Sequence, residues 1–113
     1  AVVVTSPIYF ASLSAQTKMM IDRFQCAWVA KYVLKANPSA KRRKGVFISV
    51  AGSYRKDFFE NAKLVVRSFF ATLDIEYSDE ILCGGIEKRA DIDADEKVLH
   101  NAFAIGKRLA AAA

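Results

Sequence analysis

The sequence has few of the residues that build metal centres and disulfide frameworks. Its 113 residues include two cysteines and one histidine. Cys26 and Cys83 lie far apart and neither belongs to a Cys-x-x-Cys pair, so they cannot form the ligand cluster of a zinc or iron–sulfur site. We interpret both as buried thiols, and His100, in the last predicted helix, as a surface residue. The sequence therefore predicts no metal site.

Long hydrophobic runs are also missing. No run approaches the roughly 20 residues that a membrane-spanning helix needs, and no basic-then-apolar segment resembles a signal peptide. The composition is 53% hydrophobic and 26% charged, which is typical of a globular domain. We expect residues 1–113 to form one domain of a cytoplasmic protein. Because Ala1 opens directly on a strand-like run, we also expect an N-terminal portion to precede it.

The excess of positive charge is concentrated in one place. The formal net charge is +5, and much of it comes from the basic run 41–44. No aromatic residue is interleaved with that run, which weakens the case for nucleic-acid binding. We interpret the run as a solvated loop before a strand.

Three apolar segments indicate strands, at residues 1–5, 45–51 and 75–83. The first two are continuous apolar runs, which are typical of strands buried on both faces of a parallel sheet. The third has a polar middle and is more typical of a sheet edge.

In the segments between and after the predicted strands, apolar residues recur at helical spacing. Ser14 is placed to cap a helix over residues 15–24 that resumes through Tyr32 and stops before Asn37 and Pro38. The clearest helix spans residues 57–73, and Asp93 followed by Glu96 resembles a capping box before the last helix. Its predicted apolar face comprises Val98, Ala102, Ile105 and Leu109. The predicted stripe of the 57–73 helix comprises Phe58, Ala62, Val65, Val66, Phe69, Phe70 and Leu73.

The alternation of strands and helices predicts an α/β fold. Right-handed crossovers then produce a parallel sheet with helices on both faces. In open sheets of this kind, ligands bind at the carboxyl ends of the strands. The candidate binding loops are therefore residues 6–12 and 51–54.

The first of these loops has a rigid start. Pro7 fixes φ and removes one backbone donor, which would leave the N–H groups of Ile8, Tyr9 and Phe10 free to point outward. Such a ledge of amides beside an aromatic ring suits a flat heteroaromatic ligand.

The second loop offers a close approach to the backbone. Gly52 has no Cβ, so a planar ring could lie against its main chain, and Ser53 could add a hydroxyl group. The alternative is that Tyr9 and Phe10 only cover the end of the sheet. The residues alone leave both interpretations open.

The segment SPIYFASLSAQTKMMIDR, residues 6–23, resembles the signature of the flavodoxin-like NAD(P)H-dependent FMN reductases and the related iron–sulfur flavoproteins. The following DRFQCAWVAKYVLK and the VAGS turn at residues 50–53 are similar to the same family. The resemblance covers essentially the whole chain, as the C-terminal part of the family fold.

This resemblance implies a flavodoxin-like three-layer α/β/α fold with a parallel sheet, FMN as the cofactor and NAD(P)H as the co-substrate. Family members pass hydride from NAD(P)H to the flavin and electrons onward to quinones, iron centres or other acceptors. The cofactor performs this chemistry, so we assign no catalytic acid or base. The residues implied in cofactor binding are Ser6, Pro7, Ile8, Tyr9 and Phe10 beside the isoalloxazine ring, with Ala51, Gly52 and Ser53 as the second contact.

The sequence departs from the family pattern in two respects. The first two strands of the family and its phosphate-binding loop have no counterpart here, and the cysteine cluster of the iron–sulfur branch is absent. Since the family sheet has the order 2-1-3-4-5, their loss would uncover residues 1–5 as an apolar edge. Long apolar edges recruit partners, so we expect a homo-oligomer.

Three functions remain in competition. The first is an FMN-dependent NAD(P)H oxidoreductase domain. The second is an inactive half-flavodoxin that acts as an association module through its first strand and the helix face of Trp28 and Tyr32. The third, the weakest, is a nucleotide- or RNA-binding domain built on residues 41–44.

Overall fold

A four-stranded sheet forms the centre of the computed structural model, which describes residues 1–36 and 41–112. Its strands lie in the order β2-β1-β3-β4. Strand β1 is parallel to β3, β3 is parallel to β4, and the short β2 pairs antiparallel with β1. The predicted α/β architecture is therefore confirmed. The strands are β1 (Val2–Tyr9), β2 (Ser12–Leu13), β3 (Arg43–Val50) and β4 (Ile75–Cys83).

Helices occupy both faces of this sheet. They are α1 (Ala15–Asp22), α2 (Gln25–Trp28) with a π-helical turn (Val29–Val33), α3 (Lys56–Thr72), α4 (Arg89–Asp93) and α5 (Glu96–Ala111). None of those in the described ranges is long and apolar enough to cross a bilayer.

The first predicted helix is broken into pieces. Helix α1 ends at Asp22, and the N–H of Phe24 bonds to the carbonyl of Ile21 at 3.0 Å, which closes a tight turn. The ring of Phe24 then packs edge-on against Phe69 of α3, with centroids 5.2 Å apart. This tertiary contact explains the break, which the helical spacing did not reveal. The predicted stop at Asn37 and Pro38 lies outside the described residues.

One face of the sheet carries the larger core. There Val4 of β1 and Phe47 of β3 pack with the buried side of α3. The predicted stripe of α3 is confirmed except in its first turn, where Phe59 is buried and Phe58 only half-buried. The buried side chains of α3 are Phe59, Ala62, Val66, Phe69 and Phe70.

The opposite face is covered by α5. Ile105 packs with Val46 and Ile81, and the rest of the predicted apolar face of α5 surrounds them. The predicted cap of α5 is wrong, because Asp93 is the last residue of α4. Asp95 caps α5 instead, accepting a 3.1 Å bond from the N–H of Val98.

The two cysteines differ. Cys83 is buried in the second core as predicted, and burial raises the pKa of its thiol. Cys26 is exposed on α2, so its predicted burial is wrong. Its thiol lies 3.7 Å from the carbonyl of Arg23, on the surface of a helix too short to bury any of its side chains. The predicted surface position of His100 is confirmed.

Candidate functional site

The first candidate loop is a β-hairpin. Strand β1 continues to Tyr9, and β2 returns beside it with Ile8 opposite Leu13 and Tyr9 opposite Ser12. The predicted open ledge of amides is therefore a paired hairpin. Only Phe10 and Ala11 remain as its turn.

That turn has an unusual backbone for its residues. Phe10 has φ 46° and Ala11 has φ 66°. A two-residue hairpin turn with both φ angles positive has the sign pattern of type I′, in which Asn-Gly is preferred because side chains with a Cβ are strained there. Each L-residue in the left-handed region costs roughly 1–2 kcal/mol. The turn holds the side chain of Phe10 fully exposed, at 106% of its reference area.

Buried serines attach the hairpin to the sheet. The hydroxyl of Ser6 accepts a 2.9 Å bond from the N–H of Ser14 and donates at 2.9 Å to the carbonyl of Pro7. Ser49 of β3 donates its hydroxyl at 2.7 Å to the carbonyl of Ser6. Ser14 also caps α1, accepting from the N–H of Thr17 at 3.3 Å. These bonds fix the base of the hairpin, and they direct the Ser6 side chain inward.

The second candidate loop is tied to the end of β4. The N–H of Ala51 donates to the carbonyl of Cys83, and the carbonyl of Ala51 accepts from the N–H of Ile86, both at 2.9 Å. Ala51 is buried, while Gly52 and Ser53 are exposed. A Cβ on Gly52 would meet only Glu87 within 4 Å, with 3.6 Å to its Cγ. A methyl group on Gly52 would therefore lie in van der Waals contact with Glu87, which lines the second cavity.

A first cavity of about 450 Å³ lies between these two loops. Phe10 and Phe58 supply its aromatic walls, and Ser53 contributes to its polar lining. The guanidinium of Arg55 lies 4.3 Å from the centre of the Phe58 ring and is held by Asp57 at 2.6 Å. That bond keeps the pKa of Asp57 below its usual range. The walls of this cavity are thus mainly apolar, and the Arg55–Asp57 ion pair packs on its Phe58 wall.

A second cavity of about 320 Å³ opens on the other side of Gly52. Pro7 and Tyr9 line one side of it, and the charged residues 87–89 line the other. The carboxylate of Asp91 accepts from the N–H groups of Glu87 and Lys88 at 3.0 and 2.9 Å, which holds this segment in place and lowers the pKa of Asp91. Ile8, Ala51 and Gly52 border both cavities, and we call the two cavities together the groove at the carboxyl ends of the strands.

The family model for NADPH-dependent FMN reductase matches residues 1–74. The chain belongs to this family. Its α/β sheet with helices on both faces is accordingly a flavodoxin-like fold, and at the family level the protein is a flavin-dependent NAD(P)H reductase. The matched segment contains the hairpin and the Gly52 loop. No curated protein matches the chain.

Seven of the eight residues that the resemblance implied border this groove of the FMN reductase fold. Phe10 and Ser53 line the first cavity, and Pro7 and Tyr9 the second, while the other three are shared between the cavities. Ser6 lies beneath the hairpin instead, 4% exposed. It contributes by holding the hairpin.

Sequence reasoning missed two parts of the groove. Phe58 was assigned to the core stripe of α3, but its position in the first turn lets it reach the first cavity. Residues 87–89 follow the Gly84–Gly85 pair just beyond β4, where a third parallel strand ends. The rule that ligands bind at the carboxyl ends of strands could have identified this third loop.

Proposed function

We propose that the protein is an FMN-dependent NAD(P)H oxidoreductase whose isoalloxazine ring lies in the groove shared by the two cavities. Pro7, Ile8, Tyr9 and Phe10 would border the ring on the hairpin side, and residues 51–53 would contact it from the second loop. The observation that carries this proposal is the open groove over Ile8, Ala51 and Gly52, at the carboxyl ends of β1 and β3 within the family match.

The groove fits a planar aromatic group. Both cavity volumes lie within the range of ordinary ligand sites, and predominantly apolar walls with a few polar groups are typical of such sites. Gly52 leaves free the space that a Cβ would fill. Bound FMN would supply the acceptor for hydride and the donor of electrons to a quinone or ferric compound.

The chain itself would bind, orient and shield the cofactor. Phe10 and Phe58 would exclude water from the ring, and the backbone of residues 51–53 would offer hydrogen-bonding groups to its polar edge. We assign no acid or base to the protein. Residues 1–113 would belong to one flavodoxin-like domain, and the cytoplasmic location stays a prediction.

The test is a titration of the purified protein with FMN, followed by flavin fluorescence, and an assay of NADPH and NADH oxidation with a quinone or ferric acceptor. Gly52→Ala places one methyl group in the groove and should weaken FMN binding about tenfold. Gly106→Ala is the matched control, because a Cβ there meets nothing within 4 Å. Protein with no affinity for FMN, or equal affinity in both variants, would contradict the proposal.

A second candidate function is association through β1. Val3 is half-exposed at 50%, and a cavity of about 590 Å³ runs along residues 2–5 of this strand. Trp28 and Tyr32, whose rings lie 5.3 Å apart, are also partly exposed. These surfaces support a homo-oligomer, with or without flavin.

Sedimentation velocity separates this candidate from the first. An association module should form a dimer or larger species that Val3→Lys shifts toward the monomer, because a charge on an edge strand opposes pairing. A stable monomer at all concentrations excludes the association module and leaves the oxidoreductase proposal unaffected.

A further inference from the structure

The strained turn of the hairpin is held from outside. The side-chain amide of Asn61 donates from Nδ2 to the carbonyl of Ala11 at 2.9 Å. A backbone carbonyl can only accept, so the NH₂ group of Asn61 must face it. This bond joins residues 50 positions apart in the chain.

The position of Asn61 is fixed by the packing of α3 against the sheet. It lies in the second turn of α3, between the buried residues Phe59 and Ala62. Its own side chain is exposed, so its effect on the turn is separable from the core. Phe58, one turn earlier on the same helix, lines the first cavity together with Phe10.

The serine bonds hold the base of the hairpin, whereas the turn itself is strained and is bonded from outside by Asn61. Phe10 and Ala11 both have a Cβ, and both have φ values in the left-handed region. Among the described residues, β2 pairs with β1 at two positions, Ile8 with Leu13 and Tyr9 with Ser12, and the bond from Ser14 to Ser6 lies just beyond them. Such a short hairpin is marginally stable by itself.

We propose that Asn61 is a positioning residue for the ligand groove. Its bond to Ala11 holds the turn in the left-handed conformation and thereby keeps the Phe10 ring at the wall of the first cavity. A planar aromatic ligand then meets a wall that is already in place, which lowers the entropic cost of binding. The identity of that ligand as FMN rests on the proposed function, whereas the holding of the turn does not.

Two readouts test this proposal. Asn61→Ala removes the donor, and Asn61→Asp keeps the shape but presents a carboxylate that cannot donate. We expect backbone amide exchange at Ser12 and Leu13 to rise about fivefold in both variants, and FMN affinity to fall by a similar factor. Asn101→Ala, which changes an exposed asparagine in α5, is the matched control.

A rescue variant distinguishes positioning from a general loss of structure. Ala11→Gly relieves the strain of a positive φ at that residue, since glycine adopts it readily. In the Asn61→Ala background it should restore slow exchange at Ser12 and Leu13 and recover the lost FMN affinity. Thermal unfolding should be nearly unchanged throughout, because Asn61 is exposed.

The outcomes separate this inference from the function on which it depends. If the wild-type protein binds no FMN, the proposed function fails, while faster exchange in Asn61→Ala with rescue by Ala11→Gly still supports the holding of the turn. If exchange in Asn61→Ala equals that in Asn101→Ala, the inference is overturned whatever the protein binds. It is also overturned if exchange rises but FMN affinity stays at the wild-type value.

Discussion

Strands β4 and β1, which flank the central strand β3, have opposite chemistry. Strand β4 pairs with β3 alone in the described part of the chain, and it carries several charged side chains. Strand β1 is paired on its other side only at Ile8 and Tyr9, and its residues 2–5 carry no charge. Charged side chains protect an edge from pairing with other strands. Strand β4 is therefore suited to being an edge, whereas β1 has the composition of an interior strand.

The charges on β4 are organised by contacts with the helices. Tyr77 donates its hydroxyl to Glu80 at 2.6 Å, and Lys63 of α3 reaches the same carboxylate at 3.1 Å. On the other face, Arg108 of α5 bonds Asp79 at 2.8 Å. The bulge after Gly45 is closed by Ser78, whose hydroxyl donates to the Gly45 carbonyl at 3.1 Å. Polar groups of β4 are thus satisfied within the fold.

The largest expected effect is a loss of stability from a substitution in β3, which pairs with both β1 and β4. Gly45 of β3 lies opposite Val2 on one side and Tyr77 on the other, and a Cβ there would collide with Phe70 and Ile75. Gly45→Ala should lower the free energy of unfolding by about 3 kcal/mol through overpacking. Urea denaturation measures this, with Gly106→Ala as a control that should gain up to about 1 kcal/mol, because alanine is favoured over glycine inside a helix. A fully stable Gly45→Ala protein would show that the two edges are not held by tight packing at β3.

The second-largest effect tests whether the side chains of β1 are buried in solution as they are in the structure. Val4 is buried at 6% and Val3 is exposed at 50%, although they are neighbours on one strand. Val4→Ala should cost about 2 kcal/mol, and Val3→Ala only about 0.5 kcal/mol. Equal costs in urea denaturation would mean that Val3 is covered in solution, and the comparison of the two edges would then change.

A smaller effect is expected on β4. Glu80→Ala removes the acceptor of Tyr77 and one partner of Lys63, whose side chain is only 11% exposed. We expect a loss of about 1.5 kcal/mol in the free energy of unfolding. Glu76→Ala, on an exposed position of the same strand, should stay within about 0.5 kcal/mol of the wild type. If the two variants behave alike, the charges of β4 serve only to keep the edge unpaired.

The smallest effect is a dependence on pH. Burial, and then the bond to Glu80, raise the pKa of Tyr77 above its ordinary value. A raised pKa in the folded state means that the neutral phenol contributes fully below about pH 10 and loses that contribution as the pH rises further. Wild-type stability should therefore decline at high pH more steeply than that of Tyr77→Phe, measured by urea denaturation across that range. Tyr54→Phe, on an exposed tyrosine, should retain the wild-type slope.

Most elements of the fold could be predicted, because their patterns are local. The continuous apolar runs indicated β1 and β3, and the spacing of apolar residues indicated the stripe of α3. The predicted burial of β1 on both faces is wrong, because Val3 and Thr5 are exposed. The polar middle of β4 correctly placed it at an edge of the sheet. The hairpin could not be predicted, because Phe10 and Ala11 have none of the residues that favour its turn. The break after Asp22 depends on the packing of Phe24 against Phe69, which spacing does not reveal.

The candidate site, too, could be predicted only in part from the sequence. Motif resemblance identified two loops that border the groove, and the end of β4 could have identified the third, at residues 87–89. Only packing brings Phe58 to the groove.

By itself, the sequence determined the alternation of strands and helices, the family and the loops at the carboxyl ends of β1 and β3. These depend on residue type and spacing along the chain. The tertiary structure alone decided that β1 turns back at Phe10, that Asn61 of α3 bonds to this turn, and that Gly52 borders both cavities. Those features depend on contacts between residues distant in the chain, for which the sequence contains no local signal.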